Sequence, residues 1–210
     1  MTTVFQPIRR SPIHHVHEHH HAHFEERNGW LVATAFTGAD SEIESVRESA
    51  GVCDNSSCGK IEIKGANAAA FAKGLNANGA KAYRIHDQHY IVIAEPAATD
   101  AVTNQIAQGA ADKPGVHVIP NTSSFASFVV AGPHSERLLR KIAAFNFTNL
   151  GTNGNAAGSI AHTHTLIIRN GDRFDLHFPR EFAEYIWETI LDAGKEFHLH
   201  PFGTEALAKL

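Results

Sequence analysis

No apolar run in this chain approaches the roughly 18 residues that a membrane-crossing helix needs. Arg9 and Arg10 are followed by no apolar stretch of the signal-peptide kind. The sequence therefore predicts a soluble, cytoplasmic protein without an export signal. Cysteine is scarce. Cys53 and Cys58 stand in a C-x4-C arrangement, and the second pair that would complete a zinc ribbon is missing, so they read as two small, half-buried thiols in a reducing compartment. A basic excess is missing as well: 18 Lys and Arg against 22 Asp and Glu give a formal net charge of -4, which excludes the electrostatic footprint of a nucleic-acid partner.

Histidine is abundant instead. Sixteen imidazoles, each ordinarily titrating near pH 6.5, predict that the net charge moves from negative through zero as pH falls from 7 toward about 5.5. The 43% hydrophobic content suits one large domain or two small ones. After residue 59 a strand, a Gly or Pro break and an amphipathic helix recur. Lys60 to Lys64 alternates with period two, stops at Gly65, and is followed by Ala68, Phe71, Ala72 and Leu75 at helical spacing. Phe128 to Ala131 stops at Gly132-Pro133 before Leu138, Leu139 and Ile142, with Pro133 expected in the first helical turn. Tyr90 to Ala94 leads to a helix over Thr99 to Gln108, and Phe174 to Phe178 to a helix over Arg180 to Ala193 ending at Gly194. Residues 109–124 and 146–158, rich in Gly, Asn, Ser and Thr, read as loops. Such units in series predict an α+β fold of the split-βαβ kind with two related halves, 1–122 and 123–210, packed as one unit.

Several fragments match a known family in order and spacing. Near the start these are Ser11-Pro12-Ile13, His17-Glu18, Gly29-Trp30, Ala50-Gly51-Val52-Cys53-Asp54, Ser56 and Gly59-Lys60-Ile61. In the middle stand Ala131-Gly132-Pro133 and Leu138-Leu139, and toward the end Arg173-Phe174-Asp175-Leu176-His177-Phe178-Pro179, Trp187, Ala193-Gly194 and Pro201-Phe202-Gly203. Together they resemble the glycine-cleavage T-protein (aminomethyltransferase) family. The resemblance implies an aminomethyltransferase-like folate-binding fold and a role in one-carbon metabolism with tetrahydrofolate as cofactor. If the chain is active, it implies a folate-dependent aminomethyl or methyl transferase. Asp175 occupies the place of the family's pterin-gripping carboxylate in its G-F-E strand, one methylene shorter. A carboxylate there can accept two parallel hydrogen bonds from a ring N–H and an exocyclic amine. Trp30, Tyr83 and Arg84 are further candidates for stacking or for the glutamate tail.

The chain also departs from the family. The segment with the family's catalytic aspartate is reduced to Ala72 through Tyr83, so no catalytic residue is carried over. A short chain without that aspartate also resembles the gamma subunit of heterotetrameric sarcosine oxidase, through Thr163-His164-Thr165, Arg173 to Leu176 and Trp187 to Ala193. Gly59 to Gly65 is instead similar to the folate domain of that enzyme's large subunit. The second expectation is thus a noncatalytic subunit with an oxidase partner, in a homo- or hetero-oligomer.

Seven histidines between His14 and His23 suggest a third reading. They contain a literal H-E-x-x-H from His17 to His21, which on a zincin helix sets two ligands one turn apart. With so many histidines the motif arises from composition alone, and Glu18 in the family register needs no metal. A noncatalytic divalent site, for zinc or nickel, is the expectation if His14, His17, Glu18 and His21 share one helical face.

Overall fold

The computed structural model describes residues 7–210; the first six residues of the expected N-terminal half lie outside them. The chain opens with β1 (Arg9–Arg10), α1 (His14–His19), β2 (His23–Arg27), β3 (Trp30–Ala35) and α2 (Ala39–Glu48). β4 (Gly51–Asp54) follows. A first strand-helix series comprises β5 (Gly59–Lys64), α3 (Ala68–Lys73), β6 (Ala80–His86), β7 (His89–Ala94), α4 (Thr99–Ala110) and β8 (His117–Pro120). A second comprises β9 (Phe125–Ala131), α5 (Ser135–Ile142), β10 (Asn155–Ile160), β11 (Thr163–Asn170), β12 (Arg173–Pro179), α6 (Ala183–Gly194), β13 (His200–Pro201) and α7 (Thr204–Leu207).

The first series folds into a four-stranded antiparallel sheet of order β6-β7-β5-β8, the arrangement of a split βαβ unit. The alternation of β5 explains why. Ile61 and Ile63 point to the helix side and pack with Ala68, Phe71, Val102 and Ile106, while Lys60, Glu62 and Lys64 occupy the opposite face. The second series repeats the plan with one insertion. Its sheet runs β10-β11-β12-β9-β4-β13, so β4 stands between β9 and β13. Residues 51–54 thereby pair with the strands of residues 123–210: Gly51 sits opposite Ala131 and Asp54 opposite Phe128. Phe128, Phe174, Leu176, Phe178, Ile186, Trp187 and Ile190 form the core under α5 and α6. The two sheets meet at Ile91, Leu166 and Ile168, flanked by Tyr83, Ile85, Ile93 and Phe125. A third sheet, β1-β3-β2, closes the N-terminal end.

Several sequence expectations need correction. Residues 109–124 and 146–158 are not continuous loops, since β8 and β10 pair there as edge strands. Pro133 precedes α5, whose first residue is Ser135; Gly132 takes φ +110° and its carbonyl accepts the Ser135 N–H at 3.0 Å. Before α6, residues 180–182 form a 3-10 turn. The shared helical face of His14, His17, Glu18 and His21 does not form either. α1 ends at His19, and His21 is exposed with φ +57°. His17 turns inward while Glu18 points outward, 3.2 Å from His14. The helix is too short to carry the i, i+4, i+7 stripe. Among the described residues no three His, Cys, Asp or Glu side chains come together as a metal-binding group.

Candidate functional site

Asp54 at the end of β4 is where the N-terminal segment locks onto the second sheet. Its Oδ2 accepts hydrogen bonds from the Ser11 hydroxyl and, at 3.0 Å, from His17 Nε2; its Oδ1 accepts the Ser56 N–H at 2.9 Å. Burial pushes the carboxyl pKa up, but the bonds and charge of His17, with those of Ser11 and Ser56, prevail and hold it below the ordinary value. His17 also lies edge-on to Trp187 at 4.9 Å. The order is hydroxyl, carboxylate, imidazole, with the carboxylate in the middle. A nucleophilic triad needs the imidazole there, so this cluster holds α1 in place.

Beyond Ser56 a second buried set lies between the sheets. Lys60 is fully buried and donates from Nζ to the Ser56 carbonyl at 2.8 Å. Ser127 Oγ is 2.7 Å from His177 Nδ1 and 3.6 Å from Cys58 Sγ. Burial, then the charges of Lys60 and Arg173, lowers the His177 pKa to about 3, so its ring is neutral at physiological pH. Burial also lowers the Lys60 pKa, against the pull of Cys58 and Asp54. Both cysteines are free and buried.

Asp175 shares the inner face of β12 with His177, two residues along. Its Oδ1 accepts hydrogen bonds from Arg173 Nε at 3.1 Å and Nη2 at 2.8 Å. Arg173 lines a cavity of about 490 Å³ together with Arg27, Asn55, Ser57, Glu95 and Thr204, the remainder being mostly apolar. The same arginine lines a neighbouring cavity of about 280 Å³ with Arg47, Asn170 and Asp172. The other sequence candidates lie elsewhere. Tyr83 is half-buried in the intersheet layer, where burial and then Asp175 raise its pKa. Trp30 is buried beneath Arg9, whose guanidinium lies 5.0 Å from the ring centroid. Arg84 is exposed at a hairpin and ion-paired with Asp87 at 2.7 Å. Asp175 and Tyr83 thus share a layer that Trp30 and Arg84 do not enter.

Sequence reading missed Arg173, Lys60 and His177 as polar members of this layer. The signal was present as period two: three polar residues, 173, 175 and 177, alternate with the apolar Phe174, Leu176 and Phe178.

The profile of the GCVT N-terminal domain family matches residues 13–82 and 74–210. The chain belongs to that family. The two matched stretches overlap on 74–82, the connection from α3 into β6. This GCVT chain is similar to the aminomethyltransferase of Desulforamulus reducens, 26% identical over 229 residues, covering 96% of this chain and 62% of the relative. It is also similar to sarcosine oxidase subunit alpha of Rhizobium meliloti, 27% identical over 250 residues, covering 98% of this chain and 25% of that one. Among solved structures, the glycine cleavage system aminomethyltransferase T of Bartonella henselae superimposes with TM-score 0.79 at 18% identity, over 95% of this chain and 60% of that one. Heterotetrameric sarcosine oxidase from Corynebacterium sp. U-96 gives 0.67 at 16%, over 90% and 96%. The GCVT chain therefore has the α+β aminomethyltransferase fold, and it spans about 62% of the length of the aminomethyltransferase relative described above. No helix among its described residues is long and apolar enough to cross a membrane.

Proposed function

We propose that this protein binds tetrahydrofolate in one-carbon metabolism, with residues 1–122 and 123–210 acting as one folate-binding-type unit and Asp175 as the pterin contact. The observation that carries the reading is Asp175, at the position that resembles the family's carboxylate, held by an arginine that lines a 490 Å³ cavity. That volume lies within the range of small-molecule sites, about 300–1,000 Å³, and its lining, with Arg27, Arg173, Asn55, Ser57 and Thr204 beside Val32, Pro96 and Leu207, offers cations for a charged tail and an apolar side for a ring. The residues present fit the group. Asp175 would accept the donor edge of the ring, and Asn55, Ser57 and Thr204 offer further hydrogen bonds. No residue of this chain is assigned a chemical step, because the segment between α3 and β6 has no aspartate in the family's catalytic place.

Anaerobic calorimetry of tetrahydrofolate against untagged protein tests the reading, with Asp175→Ala as the control. Micromolar binding in the wild type, weakened at least tenfold in the variant, is the expected outcome. Absence of heat at high ligand concentration, in the wild type and in Arg173→Ala alike, would remove the folate assignment.

A second reading, as a noncatalytic subunit of a sarcosine-oxidase-type complex, is favoured by the likeness to that enzyme, in which this chain covers 96% of the matching solved chain. Phe182 and Tyr185, exposed beside each other at the start of α6, supply apolar surface for such a partner. It predicts self-association of the isolated chain, and a sedimentation profile of pure monomer at high concentration would count against it.

A further inference from the structure

Two donors of Arg173 converge on the carboxylate through which this fold is proposed to hold its ligand. Nε and Nη2 carry their hydrogens on one edge of a planar guanidinium, as a ring N–H and an adjacent amine do in a pterin. Both arginine donors land on Oδ1, so the guanidinium claims one of the two oxygens that a pterin edge would engage. Arg173 reaches back two residues along its own strand face, so no chain movement is needed to make the contact. The pair is only partly withdrawn from solvent, with about one-third of the Arg173 side chain and one-fifth of Asp175 exposed. Arg173 lines both the 490 and the 280 Å³ cavity, so open space lies beside it when its guanidinium leaves Asp175. Arg47, Asn170 and Asp172 border that smaller cavity, and Asp172 offers the carboxylate that would receive the guanidinium beside Arg47.

We infer that Arg173 is an internal competitor for the ligand site: its guanidinium occupies Asp175 until the donor edge of the bound ring displaces it toward Asp172. Arg173 is thus the residue that sets affinity and selects ligands with a two-donor edge, because only such a ligand repays the broken ion pair with equivalent bonds. The inference rests on the folate reading above.

The test is calorimetry of two ligands against wild type, Arg173→Ala, Asp175→Ala and the double variant, with thermal melts confirming that each is folded. One ligand is tetrahydrofolate; the other is p-aminobenzoylglutamate, which has the tail but no pterin edge. A partly exposed ion pair contributes up to about 1 kcal/mol, so Arg173→Ala should tighten tetrahydrofolate by roughly fivefold. It should leave or weaken p-aminobenzoylglutamate, and the gain should vanish in the double variant. Raising salt screens the pair, so the wild-type disadvantage relative to Arg173→Ala should narrow. Equal or weaker tetrahydrofolate binding by Arg173→Ala, in a protein whose binding still depends on Asp175, would overturn the inference and leave the folate reading standing. Failure of every form, Arg173→Ala included, to bind tetrahydrofolate would overturn the folate reading and the inference with it.

Discussion

His177 shows how far burial, with two cations nearby, can move one imidazole. Packed between the sheets near Lys60 and Arg173, it has a pKa of about 3 against an ordinary 6.5. Below pH 6.5 the unfolded chain takes up a proton here that the folded chain refuses, so stability falls as pH drops from 6.5 toward 3. At about 1.4 kcal/mol per pH unit, the loss by pH 5 is on the order of 2 kcal/mol. Urea midpoints measured between pH 7 and 5 should therefore fall less steeply in His177→Gln than in wild type. Asp54 acts in a different window. Its depressed pKa contributes stability above its ordinary 3.8 and loses it as pH falls through the lower folded value, so the two effects separate. Little of this was legible in the sequence. His177 read as one polar residue in an apolar strand, and nothing local distinguishes a buried imidazole from an exposed one.

At the scale of elements, close backbone approach holds the N-terminal sheet to the C-terminal turn. A Cβ on Gly203 would lie 1.9 Å from the Thr34 carbonyl oxygen of β3, and the Gly203 N–H donates to Glu42 at 2.8 Å. The same carboxylate accepts from the Phe36, Thr37 and Gly38 amides at the start of α2. Gly203→Ala should push α7 away from β3 and cost about 1–3 kcal/mol in a denaturant melt, the range for forced overpacking. Elements with strong periodicity were readable in advance: β5, β9, β12, α4 and α6 all stand near their expected positions. β8 and β10 were not. Asn155-Ala156-Ala157-Gly158-Ser159 carries no β-branched or aromatic residue before Ile160, and it becomes a strand because β11 offers it a ladder. Helix α1 was expected too long for the opposite reason, since a histidine-rich composition has no intrinsic stop and the chain turns back at His21 to form β2.

For the whole molecule, the sixteen histidines do not titrate as a set. Burial lowers His14, His89 and His177, the last most of all, so these three gain charge later than exposed imidazoles as pH falls. The folded protein should focus at a lower pH than the same chain in urea, and below the 6.4 expected from sequence. Isoelectric focusing with and without denaturant measures the difference directly. The sequence by itself determined the strand-helix series, the family and the register that puts Asp175 on β12. Those depend on apolar periodicity and short motifs, which are local properties of the chain. Tertiary structure alone decided that β4 enters the second sheet, that His17 serves Asp54 instead of a metal, and that Arg173 rests on Asp175 at the edge of a cavity. The first two depend on which faces meet across residues far apart in the chain, and the third on the cavity that distant elements build around a contact two residues long; pairing over such distances is set by packing and desolvation.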